Sequence, residues 1–253
     1  MRVYFVRCTL GLVLIFGVFF RFACAGIMAA GTRVIYTGGD HERSLMLANT
    51  NDYPVIVQTW VDEGSGNPDY DSASFIVLPP VFRLEPGEIK GIRLLYNQNV
   101  LPEDRESVAW LNLYEIPPSL SSEEIPNRLT LTMNTQLKIF YRPRSLPKAE
   151  KNPVKLSFIH LSEEHGQYIE ACNPTPYHVS FTTLAWENGS EIIPVEQQMD
   201  MMVSPFSKKR YRLLHVATPA GKQSVLYEFI NDNGSVIKES QPLDTGTPVP
   251  ECR

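Results

Sequence analysis

Residues 129–141 have the sequence Leu-Thr-Leu-Thr-Met-Asn-Thr-Gln-Leu-Lys-Ile-Phe-Tyr, in which side chains alternate in polarity over a stretch that is long for a strand. Every second position from Leu129 to Leu137 is apolar except Thr135, and the opposite face carries no charge before Lys138. A period of two is typical of a β-strand with one apolar face. Two interpretations stay open. The apolar face belongs to the protein's own core, or its exposed part is offered to another protein by β-augmentation.

The rest of the chain repeats this pattern in shorter runs that end in turn residues. Residues 33–36 stop at Gly38-Gly39-Asp40, and the run from Val55 to Val61 is rich in β-branched side chains. Few segments show an apolar period of 3.6 residues. A proline-punctuated polar segment at residues 143–153 resembles a stiff linker between two β regions. The pattern predicts an all-β protein built from sandwiches.

The N-terminal 25 residues are predicted to be a cleaved signal peptide. Arg2 and Arg7 precede the apolar run of residues 10–20, and Ala23-Cys24-Ala25 has the small residues of a cleavage site. Lipidation through Cys24 is a less favoured alternative, because Arg21-Phe22-Ala23 is a poor context for it.

Charge and composition argue against several classes of function. The chain has 23 Lys+Arg and 28 Asp+Glu, and loss of the signal peptide removes three of the arginines. This acidic balance disfavours a nucleic-acid partner. We found no metal-binding spacing among the five histidines, no nucleophile elbow and no phosphate loop. We therefore expect no catalytic residues, no metal, no cofactor and no small-molecule substrate.

Two cysteines, Cys172 and Cys252, remain after the signal peptide is removed. A pair of cysteines in an exported chain favours one disulfide bond, with two free thiols as the alternative. The bond would tie the C-terminal tail to the start of the second half.

The segment from Leu101 to Pro117, Leu-Pro-Glu-Asp-Arg-Glu-Ser-Val-Ala-Trp-Leu-Asn-Leu-Tyr-Glu-Ile-Pro, closely resembles the signature of the periplasmic pilus (fimbrial) chaperone family, PapD/FimC-like. Further family resemblances are found at residues 32–36, 79–87, 138–143 and 173–177. The resemblance implies two immunoglobulin-like β-sandwich domains in a boomerang arrangement. We place them at residues 26–145 and 146–253. The ten residues 119–128 form a short loop, as in the branch that assembles rod-type pili.

The resemblance also implies which residues act. The donor strand, at about residues 127–141, would place Leu129, Leu131 and Met133 in the open groove of a pilus subunit. Arg33 and Lys138 would bind the C-terminal carboxylate of that subunit.

The resemblance also implies roles for residues at the interface between the domains, and it implies which proteins the chain binds. Glu106, Arg142 and Asp232 match the positions of an interdomain charged network. The implied function is a periplasmic chaperone that binds, folds and caps subunits by donor-strand complementation and delivers them to an outer-membrane usher. Whether the free protein caps itself as a dimer is left undecided by the sequence. The main alternative is a fimbrial structural subunit or adhesin, and a secreted enzyme or carbohydrate-binding module is weaker.

Overall fold

The computed structural model describes residues 26–70, 72–118, 131–146 and 156–243, together with Cys252. None of these residues lies in a helix, and they form seventeen β-strands. The predicted all-β class is confirmed. The predicted signal peptide, the short loop and Leu129 lie outside the described residues.

Nine strands form the first sandwich. They are β1 (Ile27–Ala29), β2 (Arg33–Thr37), β3 (Arg43–Asn49), β4 (Val55–Asp62), β5 (Phe75–Leu78), β6 (Val81–Leu84), β7 (Ile89–Tyr96), β8 (Ser107–Ile116) and β9 (Met133–Arg142). One sheet has the order β1-β3-β7-β5 and the other β2-β9-β8-β4-β6. Among these pairs only β2 and β9 run parallel.

The core of the first sandwich comes from alternate residues on the facing strands. In β4, Val55, Val57 and Val61 are buried, and they pack in one cluster with Leu47 and Ile92 of the other sheet. Full burial of one such side chain stabilises the fold by about 1.5–3 kcal/mol. The period of two seen in the sequence is therefore the period of core burial.

Eight strands form the second sandwich. They are β10 (Ser157–Glu163), β11 (Gly166–Asn173), β12 (Val179–Asn188), β13 (Glu191–Pro194), β14 (Met202–Val203), β15 (Ser207–Arg212), β16 (Gln223–Ile230) and β17 (Val236–Pro242). One sheet has the order β10-β11-β15, and the other has the order β13-β12-β16-β17 with β14 also paired to β12. Trp186, Phe158 and Tyr211 are the largest fully buried side chains of its core.

Cys172 of β11 and Cys252 of the C-terminal tail form a disulfide bond, with their Cα atoms 6.0 Å apart. The predicted pairing is confirmed, so the two cysteines are not free thiols. The bond joins residues 80 positions apart. In the chain-entropy model, closing a loop of that length stabilises the fold by roughly 4 kcal/mol.

Candidate functional site

Strand β9 lies between two strands that cover it to different extents. β8 pairs with it from Met133, opposite Glu115, to Tyr141. β2 pairs with it only from Lys138 onward, because β2 begins at Arg33, which is opposite Lys138. In the part of the chain that the structure describes, no strand pairs with residues 133–137 on that side. We call residues 133–137 the open half of β9 and residues 138–142 the paired half.

The open half carries apolar side chains into solvent. Leu131, just before the strand, is 75% exposed and Met133 is 50% exposed, whereas Leu137 is 7% exposed and belongs to the core. The face predicted from the sequence is therefore divided: Leu137 belongs to the protein's own core, whereas Leu131 and Met133 are exposed, and their role in binding another protein stays a prediction. A long apolar edge with unpaired backbone groups is a template for another strand.

β9 begins later than the sequence suggested. The donor strand was expected from about residue 127, but Leu131 and Thr132 are described without strand structure. The reason lies in β8, which ends at Ile116 and continues into Pro117-Pro118. In the register of this pair Leu131 lies opposite Pro117, and proline has no N–H to donate, so β8 supplies no ladder donor at that position.

A buried carboxylate anchors strand β1 beside the open half. Glu115, opposite Met133, accepts hydrogen bonds from the Ile27 N–H at 3.0 Å and from Asn51 Nδ2 at 2.8 Å. Gly26 has φ of +118°, and a Cβ on this residue would lie 2.9 Å from Met133 Cε. The positive φ favours glycine at this position, and the close approach to Met133 shows that the residue before β1 lies against the exposed end of β9.

The polar face of the open half is organised by Asn112, which sequence analysis did not single out. Asn112 on β8 is fully buried, and its Oδ1 accepts from Asn134 Nδ2 at 3.0 Å and from Gln136 Nε2 at 2.9 Å. The Tyr114 hydroxyl donates to Thr132 Oγ1 at 3.1 Å. These bonds hold the backbone of the open half extended while its other edge is unpaired.

Arg33 lies opposite Lys138, so both side chains project from the same face of the sheet. Arg33 Nη1 donates to the carbonyl of Ile230 at 3.1 Å, and the guanidinium lies 5.4 Å from the centre of the Phe140 ring. Its Nε is buried, and no described residue accepts a hydrogen bond from it.

Burial lowers the pKa of Arg33 from its ordinary value, and the charges of Asp232 and Glu106 partly offset this effect. Arginine stays protonated in proteins even so. A partly buried guanidinium with an unused donor is suited to bind an anion, because charge-assisted hydrogen bonds are the strongest that such a donor can form.

Lys138 already has a partner from the second sandwich. Its Nζ lies 2.8 Å from Asp200 Oδ1. A second lysine, Lys209, donates to the carbonyl oxygen of Asp200 at 2.5 Å. Burial lowers the pKa of Lys209; the charge of Asp200 opposes that shift and the charge of Lys138 adds to it. Sequence analysis missed Asp200 and Lys209, since only the packing of the two halves brings them to Lys138.

The residues of the expected charged network lie in contact across the two sandwiches. Arg142 donates from Nε to Glu106 at 2.7 Å, and from Nη1 and Nη2 to Asp232 at 2.5 and 2.7 Å. The Glu106 side chain is only 1% exposed, and its other oxygen accepts from the backbone N–H of His178 at 3.1 Å. Burial alone would lower the pKa of Arg142, but the hydrogen bonds to Asp232 and the charge of Glu106 raise it above its usual range.

No set of three or more His, Cys, Asp or Glu side chains among the described residues is placed to hold a metal ion. In the same part of the chain, no helix has the length and apolar character needed to cross a membrane.

An open strand edge, a pair of cations beside it and two joined sandwiches define a protein that binds other chains. Residues 26–147 match the family model described as "Pili and flagellar-assembly chaperone, PapD N-terminal domain". Residues 152–241 match the model described as "Pili assembly chaperone PapD, C-terminal domain". The chain belongs to this family of pilus-assembly chaperones, as the resemblance in its sequence implied.

Proteins with similar sequences are also named as chaperones. The chain is 35% identical over 222 residues to the chaperone protein FimB/FhaD of Bordetella pertussis, covering 85% of this chain and 86% of that one. It is 33% identical over 225 residues to the probable fimbrial chaperone YadV of Escherichia coli, covering 87% and 90%.

A solved structure supports the same conclusion. The crystal structure of the YadV chaperone matches with a TM-score of 0.72 at 32% identity, covering 86% of this chain and 99% of that chain. The predicted arrangement of two β-sandwich domains is thus confirmed, and the protein is a chaperone of pilus assembly. The alternative of a fimbrial subunit or adhesin is not favoured.

Proposed function

We propose that this chaperone works in the periplasm, where it lends the open half of β9 to pilus subunits that lack a strand. The observation that carries the proposal is the exposure of Leu131 and Met133 beside an unpaired strand edge in a member of this family. Signal-peptide cleavage before Gly26 and delivery of the subunit to an outer-membrane usher belong to the same proposal. The protein acts by binding and not by catalysis.

The apolar side chains supply most of the affinity. Full burial of a leucine or methionine is worth about 1.5–3 kcal/mol before the costs of binding. Each added ladder bond contributes only about 0.5–1.5 kcal/mol net. Leu131, Met133 and, by its place in the sequence, Leu129 enter the groove of the subunit, and the backbone ladder determines their register.

The cations fix the end of the subunit. Its C-terminal carboxylate binds Arg33 and Lys138, which lie on neighbouring strands at the point where β2 begins. The planar guanidinium of Arg33 supports this role, because a carboxylate can accept hydrogen bonds from adjacent guanidinium nitrogens. The network of Glu106, Arg142 and Asp232 holds the two domains so that this cleft keeps its shape.

The test is capture of a subunit. Affinity-tagged chaperone is expressed in the periplasm of the source bacterium, and a co-purified subunit is identified by mass spectrometry. We expect Arg33→Ala and Lys138→Ala each to reduce affinity for that subunit by about tenfold or more, since a hydrogen bond to a charged group is worth about 1.5–3 kcal/mol.

The matched control is Arg93→Ala. Arg93 lies on β7 of the other sheet, is exposed and pairs with Glu42. This variant should capture the subunit as well as the original protein does. Thermal unfolding monitored by circular dichroism verifies that all variants fold. Undiminished capture by both folded anchor variants would show that the carboxylate is bound elsewhere.

A further inference from the structure

The proposed carboxylate anchor already contains a carboxylate of the protein itself. Asp200 Oδ1 lies 2.8 Å from Lys138 Nζ, the distance of a charge-assisted hydrogen bond. Arg33, by contrast, is bonded to a neutral carbonyl, that of Ile230. Among the described residues, Lys138 thus forms a close ion pair with a carboxylate of the protein, whereas Asp232 and Glu106 act on Arg33 without lying within ion-pair distance of it.

The segment that carries Asp200 is held firmly in place. Asp200 Oδ1 also accepts from the N–H of Met202 at 3.1 Å, and Lys209 Nζ donates to the carbonyls of Asp200 and Met202 at 2.5 and 3.2 Å. The buried Tyr211 hydroxyl donates to the carbonyl of Met201 at 3.1 Å. Asp200 is therefore presented to Lys138 by a fixed turn of the second sandwich.

We propose that Asp200 is an internal competitor for the subunit's C-terminal carboxylate and sets how tightly the anchor binds it. This inference rests on the proposed function, since it assumes that a carboxylate binds at Arg33 and Lys138. In the free chaperone Asp200 neutralises Lys138. An incoming carboxylate displaces Asp200 from Lys138 or shares Lys138 with it, and in either case part of the attraction of Lys138 is lost to the subunit.

The exposure of Asp200 keeps the free-energy cost of this displacement small. The side chain of Asp200 is 43% exposed, so water can solvate the carboxylate once Lys138 turns to the subunit. A pair with one exposed member is weak. The Met202 N–H stays available to hold Asp200 after the exchange. Asp200 thus lowers the affinity for the subunit without closing the site, which favours its later release.

The experiment uses the full mature chaperone and a fluorescent peptide that copies the last sixteen or so residues of the captured subunit. The peptide is made with a free C-terminal carboxylate and as the C-terminal amide. We expect Asp200→Asn to bind the free-carboxylate peptide about 2–5-fold more tightly than the original protein, the range that corresponds to one exposed ion pair. Asparagine keeps the oxygen that accepts from Met202, so the turn is preserved.

Three comparisons identify the cause. The amide should bind Asp200→Asn and the original protein equally, and in a Lys138→Ala background Asp200→Asn should have no effect. Glu196→Gln removes one negative charge from the same region, where Glu196 pairs with Arg212 and not with Lys138. That variant should leave the affinity unchanged.

The possible failures are distinguishable. If the original protein binds amide and carboxylate equally, the anchor itself is wrong, and this inference is overturned with it. If the carboxylate binds better but Asp200→Asn binds it no more tightly, the anchor stands and competition by Asp200 is refuted. Weaker binding to Asp200→Asn would make Asp200 a residue that positions Lys138, which also overturns the proposal.

Discussion

The two halves of β9 have the same alternating sequence pattern but opposite environments. In the paired half, Ile139 is fully buried in the core of the first sandwich and Phe140 is fully buried beside His178 of the second, whereas Met133 in the open half is exposed. The difference arises from the extent of the neighbouring strand β2, which begins at Arg33, opposite Lys138, and does not reach the open half. One strand is therefore paired on both edges in one half and on one edge in the other, where Met133 is exposed and Leu137 still packs in the core.

The largest effect on the free energy of unfolding is expected for a substitution at Arg142, the last residue of the paired half. Replacing Arg142 by alanine leaves the Glu106 carboxylate buried without its cation, as well as Asp232 without its two hydrogen bonds. Breaking a buried ion pair in this way costs about 3–5 kcal/mol. We expect that loss in the free energy of unfolding measured by urea titration.

The control for this prediction is Arg83→Ala, which breaks an exposed pair with Glu85. Its effect should stay within about 0.5 kcal/mol. Equal effects of the two substitutions would mean that the network near Arg142 contributes no more than a surface pair.

A smaller effect is expected in the centre of the paired half. Ile139→Val removes one methylene group from a side chain with no exposed surface. Such a change typically costs about 0.5–1.5 kcal/mol, from lost transfer energy and the small cavity that remains. Urea unfolding of this variant and of Ile76→Val, whose isoleucine is half-exposed on β5, should differ by this amount. Equal stability would contradict the packing described for the paired half.

Much of the fold could be predicted from the sequence, because alternation reports directly which face of a strand is apolar. The same alternation could not show where burial stops. Met133 and Leu137 look equivalent in the sequence, but Leu137 is buried in the core next to the position at which β2 begins, whereas Met133 lies four residues further out and is exposed. That position depends on pairing between residues more than a hundred positions apart, which no local pattern contains.

The site residues divide in the same way. Arg33, Lys138, Glu106, Arg142 and Asp232 were predicted through resemblance to a family, and the structure brings the members of each set together. Sequence analysis gave no signal for the residues that join them, because a polar residue on a strand or turn is ordinarily solvated. Only the tertiary structure shows which polar residues are instead buried or paired; examples at the site are Asn112, His178, Asp200 and Lys209.

The smallest effect on stability, and the most informative one, is expected beside the open half. Leu131 is mostly exposed, so Leu131→Glu should change the free energy of unfolding by less than about 0.5 kcal/mol. The same substitution puts a charge where the proposed groove requires an apolar side chain, and subunit capture should fall sharply, because an unpaired charge is costly to bury. Val236→Glu, which charges a half-exposed valine on β17, is the matched control and should do neither. A large loss of stability in Leu131→Glu would place this side chain in the protein's own core. Unchanged capture would mean that the open half of β9 is not the surface that meets the subunit.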